Sequence, residues 1–239
     1  MEKRIAQGLQ ELKLTGRVPG DAAGTLARYG RELLEQNKVM NLTAIREEDG
    51  VARLHMLDCA ALLTLPGIDF SQKTLVDVGT GAGFPGLVLK ILVPGLEVTL
   101  LDSLQKRLDW LERTAGVLAL SGVAVLHARA EEASRRPEYR EQFDFATARA
   151  VAGLQVLAEL CLPYVKVGGL FLAMKSVEAD AELEAAAGAI RTLGGAVETL
   201  WDYAIPGTEV THRIIAVRKL TPTPEGYPRK WSKLRKETH

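Results

Sequence analysis

The chain has 239 residues, and its 30 Lys and Arg residues balance its 30 Asp and Glu residues, so the formal net charge is zero. This balance excludes a protein that is basic on every side, and the length allows a core that needs no disulfides. The two cysteines cannot alone form a disulfide framework or a zinc cluster, and no apolar run reaches the ~18 residues of a membrane span, so we expect a cytoplasmic protein with no membrane segment and no metal.

The first part of the chain, residues 1–64, has the hydrophobic spacing of helices. Leu26, Tyr29 and Leu33 fall at i, i+3 and i+7, which places them on one helical face. The stretch RVPG at 17–20 is expected to separate the first helix from the second. The sequence therefore predicts an N-terminal helical extension.

Short apolar runs then alternate with helical patterns. The predicted strands occupy 73–78, 98–101, 123–126, 143–147 and 169–174, and the predicted helices begin near 85, 104, 152 and 178. Such alternation is typical of a parallel, doubly wound α/β sheet. Two further strands, 195–203 and 212–219, have no helix between them and predict a terminal antiparallel hairpin. We expect this domain to span 65–220.

A glycine-rich loop, DVGTGAGFPG at 77–86, follows the first predicted strand and precedes a helix. Glycines allow a sharp turn and a close approach of the backbone to a ligand, and Pro85 suits a first helical position. The context is that of a nucleotide-binding loop.

The glycines match two ligand-binding patterns. G-x-G-x-x-G from Gly81 matches the dinucleotide fingerprint, whereas G-x-G-x-G from Gly79 through Gly83, behind Asp77, matches the loop of S-adenosylmethionine-binding proteins. A carboxylate at the Asp77 position suits a cationic sulfonium and would repel a pyrophosphate. Asp102 ends the second strand and can accept hydrogen bonds from both ribose hydroxyls in either class. The terminal hairpin also favours a methyltransferase over a dehydrogenase. A third interpretation of the loop is a glycine-rich turn that binds no ligand.

An ordered series of segments resembles one family. The segments are 41–46 (NLTAIR), 55–58 (HMLD), 77–86, 101–103 (LDS) and 149–150 (RA). They resemble the bacterial small-subunit ribosomal RNA methyltransferase G family, once called glucose-inhibited division protein B. The resemblance implies a Rossmann-like class I S-adenosylmethionine-dependent methyltransferase fold with seven strands, and methyl transfer to N7 of a guanine in 16S ribosomal RNA.

The resemblance also implies cofactor-binding residues. Gly79 and Phe84 match the family's cofactor loop, Ala130 and Glu131 match its adenine-contacting pair, and Arg149 matches a further cofactor position. The loop pattern and the charge argument add four residues to this set: Asp77, Gly81, Gly83 and Asp102.

Guanine N7 carries a free lone pair near neutral pH, so we expect groups that position the substrate rather than a general base. Arg149 can bind guanine O6 or a phosphate, or it can pair with Asp77 or another loop carboxylate. Lys175, at the end of the fifth strand, can meet a phosphate or be solvated. His55 and Asp58 lie on one helical face, either as a pair that fixes the extension or beside the RNA cleft.

The tail differs in charge from the rest of the chain. Residues 211–239 carry eight basic and two acidic side chains, whereas 51–210 carry 14 basic and 20 acidic ones. The TPTP stretch at 221–224 is predicted to end the compact body, leaving 221–239 as a basic tail that faces phosphates or is merely solvated. Within it, Trp231 can stack on a base. After 227–230 (YPRK) the tail departs from the family pattern, and Cys59 replaces a frequent Ser.

The expected partner is 16S ribosomal RNA in an assembling small ribosomal subunit, since the narrow major groove of an A-form duplex would exclude an active site from N7. The alternatives are a methyltransferase of another RNA, a protein or a small molecule, a non-catalytic nucleotide-binding assembly factor, and a nicotinamide-dependent reductase. Cys59 and Cys161 are expected to pack as small apolar side chains, and Trp110 has the spacing of a core residue.

Overall fold

The computed structural model describes residues 1–234 and contains one seven-stranded sheet. The strands are β1 (Thr74–Val78), β2 (Glu97–Asp102), β3 (Val123–His127), β4 (Phe143–Arg149), β5 (Val165–Ser176), β6 (Gly195–Ala204) and β7 (Thr211–Lys219). Their order is β3-β2-β1-β4-β5-β7-β6, with β7 antiparallel to β5 and β6 and the other neighbours parallel. The predicted sheet with its terminal hairpin is confirmed, although β5 begins four residues earlier than predicted.

Helices cover both faces of the sheet. They are α1 (Glu2–Glu11), α2 (Ala22–Met40), α3 (Glu48–Val51), α4 (Asp58–Ala60), α5 (Gly86–Leu92), α6 (Gln105–Val117), α7 (Ala130–Ala133), α8 (Leu154–Cys161), α9 (Asp180–Thr192) and α10 (Trp231–Leu234). Residues 48–64 form one continuous helical stretch, which is π-helical over Ala52–Leu57 and 3-10 helical over Ala61–Thr64. In the described residues no helix is both long enough and apolar enough to cross a membrane.

The central strands divide the apolar residues between two cores. Along β4, Phe145 packs into the core that contains the N-terminal helices, and Ala146 packs into the core of α8 and α9. Along β5, Leu172 and Phe171 alternate in the same way. Successive strand residues point to opposite faces, so a near-continuous apolar run indicates a sheet covered on both sides. The helical extension thus shares a core with one face of the sheet.

The chain remains packed beyond the end of β7, contrary to the prediction that the compact body ends at 221. Thr223 and Leu234 are buried. The guanidinium of Arg140 donates to the carbonyl oxygens of Thr223 and Tyr227, at 2.8 and 2.9 Å. The proline-rich composition concealed this packing, because the segment is held through its backbone carbonyls by an arginine from elsewhere in the chain. The last five residues of the predicted tail, 235–239, lie outside the described residues.

Candidate functional site

The glycine loop after β1 has a backbone that only glycine adopts easily. Gly79, Gly81 and Gly83 have φ angles of 71°, 58° and 87°, in the left-handed region. A Cβ atom at Gly83 would lie 2.4 Å from the hydroxyl oxygen of Tyr29. The three glycines are therefore required by the turn, and Gly83 also by the close approach of α2.

Asp77 lies under this loop and does not face the cleft, so that part of the prediction is wrong. Its Oδ2 accepts hydrogen bonds from the Thr80 hydroxyl at 2.6 Å and from the Gly86 backbone N–H at 2.9 Å. The Thr147 hydroxyl lies 3.4 Å from Oδ1. Complete burial raises the pKa of Asp77 to about 6, against the lowering effect of these donors. The carboxyl group therefore holds both ends of the loop in place, because Thr80 and Gly86 donate to the same oxygen of Asp77.

Asp102, at the end of β2, also contacts the loop but borders an open space. Its Oδ2 accepts a hydrogen bond from the backbone N–H of Gly81 at 3.0 Å, and its Oδ1 accepts one from that of Leu104 at 2.9 Å. The guanidinium of Arg107 lies 3.3 Å from Oδ2. An ionised carboxylate has about four acceptor positions, so replacement of this long contact by a ribose hydroxyl is chemically simple.

A cavity of about 270 Å³ opens beside Asp102. Four residues predicted to bind the cofactor line it together: Gly79, Asp102, Ala130 and Glu131. Its remaining wall includes the apolar side chains of Leu101, Val151 and Leu160 and the indole of Trp231. Carboxylates for hydroxyl groups and apolar residues for a flat ring are the features that suit a nucleoside.

A larger cavity of about 560 Å³ adjoins the first. Gly79, Arg107 and Ala150 line both, so the two cavities form one cleft along the carboxyl ends of the strands. The predicted residues in its wall are Gly79, Gly81, Phe84, Arg149 and Lys175. Gly83 lines neither cavity. In open α/β sheets this edge is where ligands bind.

Arg149 enters the larger cavity in an ion pair with Asp58. Its Nη1 lies 2.9 Å from Oδ2 of Asp58, whose Oδ1 accepts hydrogen bonds from the Tyr203 hydroxyl at 2.7 Å and from the His212 ring at 2.8 Å. Burial would raise the pKa of Asp58, but the hydrogen bond from His212 and the charge of Arg149 outweigh it and lower that pKa. The ion-pair alternative for Arg149 is thus realised with a helical carboxylate instead of Asp77 or another loop carboxylate.

His55 stands between this ion pair and the glycine loop. Its ring stacks on Phe84 at 4.6 Å, and its Nε2 lies 2.7 Å from the hydroxyl oxygen of Thr43. Burial and the nearby charge of Arg149 lower the pKa of His55 to about 4. Nδ1 of His55 lies 3.0 Å from the guanidinium of Arg149, which can only donate, and 3.0 Å from the carbonyl oxygen of Leu54, which can only accept. His55 and Asp58 both line the cleft, and Arg149 joins them.

Lys175 is held by a partner, which neither sequence alternative included. Its Nζ lies 2.7 Å from a carboxylate oxygen of Glu182 and donates to the carbonyl of Ala152 at 3.1 Å. Only 14% of its side chain is exposed. It lines the cleft as half of a charge pair, so its binding to a phosphate remains a prediction.

Four basic side chains of residues 211–239 form ion pairs within the molecule. On β7, Arg213 pairs with Asp180 and Asp202, and Arg218 pairs with Glu198. Two further ion pairs join Lys219, also on β7, to Glu141 and Arg229 to Glu159. Only Arg229 of these lies in the predicted tail 221–239, so a tail that faces phosphates stays a prediction. Both cysteines are buried and free, and Trp110 is in the core, as predicted.

The sequence reasoning missed His212, Tyr203 and Thr43 as site residues. A signal for His212 was present, because an antiparallel hairpin places the start of β7 beside the end of β5. The observed register pairs Ser176 with His212. No comparable local signal identifies Tyr203, whose hydroxyl reaches Asp58 from a strand 145 residues away in sequence.

Comparisons with known proteins identify the family of the chain. A family model described as rRNA small subunit methyltransferase G matches residues 23–205. A protein of that description from Alkaliphilus oremlandii is 46% identical over 212 residues, which cover 89% of this chain and 88% of the relative.

Solved structures show the same fold at low sequence identity. TrmN from Thermus thermophilus superposes with a TM-score of 0.51 at 24% identity, covering 68% of this chain and 48% of TrmN. M. jannaschii TYW2 in complex with AdoMet gives a TM-score of 0.50 at 13% identity, covering 64% and 72%.

Proposed function

The chain belongs to the rRNA small subunit methyltransferase G family, and we propose that it transfers the methyl group of S-adenosylmethionine to N7 of a guanine in 16S ribosomal RNA. The carrying observation is the cleft itself. A nucleoside-sized cavity beside Asp102 continues into a larger cavity whose wall holds His55, Arg149 and Lys175. One compartment suits a methyl donor, and the adjoining one provides space for the base that accepts the methyl group.

The residues of the smaller cavity fit S-adenosylmethionine. Asp102 would accept from the ribose hydroxyls, with Arg107 displaced from its 3.3 Å contact, and Ala130 and Glu131 would border the adenine. The bound molecule supplies an electrophilic methyl group on a sulfonium. The main chain at Gly79 and Gly81 can approach it closely, because neither residue carries a side chain.

The larger cavity favours a nucleophile that needs no deprotonation. A pKa near 4 makes His55 a weak base at pH 7, and its Nδ1 already contacts Arg149 and the Leu54 carbonyl. The role left to these residues is alignment, which can lower a barrier by ~7–11 kcal/mol in ideal cases. Guanine N7 has the required lone pair, and O6 beside it is an acceptor that an arginine such as Arg149 can bind.

The reaction requires an unpaired or extruded guanine, because a duplex of A-form RNA hides N7 in a deep, narrow groove. We therefore propose a 16S RNA within an assembling small subunit as the partner, and the bacterial cytoplasm as the location.

The direct experiment maps 7-methylguanosine in 16S RNA by mass spectrometry, in cells with and without the gene. Loss of one modified guanine on deletion, and its return with the cloned gene, is expected, whereas an unchanged map rejects the proposal. Assembly intermediates should be better substrates in vitro than deproteinised mature 16S RNA.

Asp102 provides a test of the donor compartment that is independent of RNA. Because a hydrogen bond to a charged acceptor contributes about 1.5–3 kcal/mol, Asp102→Asn should weaken S-adenosylhomocysteine binding about 10- to 100-fold in calorimetric titration. Asp109→Asn, on the exposed face of α6, is the matched control and should bind as wild type. Thermal stabilisation of the wild type by NAD but not by S-adenosylhomocysteine would instead support a reductase.

A further inference from the structure

The C-terminal segment, residues 221–234, packs against the fold beyond β7 and brings Trp231 to the nucleoside-sized cavity. Besides the bonds from Arg140, the guanidinium of Arg135 donates to the backbone carbonyls of Gly226 and Pro228. These arginines lie beyond α7, the helix that supplies Ala130 and Glu131 to the cavity. The segment is therefore attached to the same part of the molecule that forms one wall of the cavity.

Two anchors hold the end of this segment on either side of Trp231. Arg229 forms a bidentate pair with Glu159, with Nε 3.0 Å from Oε1 and Nη2 2.7 Å from Oε2, and Glu159 is almost fully buried. On the other side, the side chain of Leu234 is buried in the core of α8. A charge-assisted pair two residues before Trp231 and an apolar anchor three residues after it restrict the position of this side chain.

Trp231 borders the cavity directly, although the other residues of its wall all lie between Val78 and Leu160 in the sequence. The guanidinium carbon of Arg129 lies 4.8 Å from the centre of the indole ring, and Arg129 in turn approaches Glu131 at 3.3 Å. The stacked pair and Glu131 line the cavity together with Asp102. A cation over an indole fixes the plane of the ring, so the wall presents a flat surface in a defined orientation.

We propose that Trp231, with Arg129 stacked on it, forms the wall against which the adenine ring of the methyl donor packs, so that the C-terminal segment is part of the donor site. This inference rests on the proposed function, since the ligand is the donor named there. Every purine offers a flat π-face, and Asp102 in the same cavity fixes the ribose end. Trp231 would thus contribute affinity for the donor and not for RNA.

Fluorescence can report on Trp231 alone. The chain has three tryptophans, and Trp110→Phe with Trp201→Phe leaves Trp231 as the only one. Titration of this variant with S-adenosylhomocysteine, without RNA, should change its emission saturably with the dissociation constant that calorimetry gives. No change at saturation, or a change that appears only when RNA is added, would overturn the proposal, and the second result would assign the indole to RNA instead.

Substitution measures the contribution to binding. Trp231→Ala should weaken S-adenosylhomocysteine about 5- to 100-fold, and Trp231→Phe should retain binding within about threefold, because a phenyl ring still stacks. Trp201→Phe, in which a distant indole is lost, is the control and should bind as wild type. If the wild type binds and Trp231→Ala binds equally well, this inference fails. If the wild type itself does not bind, the proposed function fails first.

Discussion

Asp58 and Asp77 are both buried beside the cleft, yet their surroundings drive their pKa values in opposite directions. Asp77 receives hydrogen bonds from neutral groups only, and burial raises its pKa to about 6, although Arg149 lowers it from a distance. For Asp58, burial is outweighed by the bond from His212 and by the adjacent charge of Arg149. Burial therefore does not decide the charge of a carboxyl group, because the charge of its donors does. Asp77 beneath the loop therefore takes up a proton at a higher pH than Asp58 in the wall of the cleft.

The two groups also give opposite contributions to the pH dependence of stability. A raised folded-state pKa, as in Asp77, adds stability that is complete below about pH 4 and lost as pH rises through about 6. A lowered pKa, as in Asp58, adds stability that is present above about pH 4 and lost as pH falls. Substitutions at each position can separate these effects.

The largest effect is expected from Asp58→Ala, which removes the charged partner of a buried arginine. Breaking a buried ion pair typically costs ~3–5 kcal/mol, because the remaining charge, here that of Arg149, is uncompensated. Urea denaturation of the variant should show this loss of stability. Asp202→Ala removes an exposed partner of Arg213 and should cost at most ~1 kcal/mol. Equal losses in the two variants would mean that the Asp58 pair is no more than a surface contact.

A pH-dependent effect is expected from Asp77→Asn. The amide oxygen can still accept from Thr80 and Gly86, and its N–H₂ can face Thr147, so geometry is nearly conserved. The variant cannot ionise, so it should gain stability relative to wild type as pH rises from 4 to 8, by up to ~3 kcal/mol for a shift of about two pKa units. Urea midpoints at closely spaced pH values measure the difference, and a difference that is constant with pH would contradict the raised pKa.

The smallest effects are expected from deleting one hydroxyl donor to Asp58 and one hydroxyl donor to Asp77. Tyr203→Phe removes a 2.7 Å bond to an ionised carboxylate and should cost ~1.5–3 kcal/mol at pH 7. Thr147→Val removes a 3.4 Å contact to Asp77 and should cost ~0.5 kcal/mol, while moving the Asp77 titration to higher pH. Both are read from urea unfolding across pH. If Thr147→Val were the more costly change, the ranking of the two environments would be reversed.

Features that depend on residues close together in the chain could be predicted before the structure was known. The alternation of apolar residues predicted the strands, and the glycine spacing predicted a loop whose left-handed φ angles at Gly79, Gly81 and Gly83 are now seen. Both signals are local, because hydrophobic period and backbone sterics act over a few residues. Asp102 could also be placed, since the ends of parallel strands meet at one edge of the sheet.

The partner of each charged group, in contrast, could not be predicted, because it depends on how distant segments pack together. Arg149 meets Asp58 across 91 residues of sequence, and Trp231 joins a cavity wall built by β2 and α7, about a hundred residues before it. The same packing places Asp77 beneath the loop and pairs Arg229 of the basic tail with Glu159. A pattern along the chain can state which residues carry charge, but the pairing depends on distances that exist only after both cores have formed.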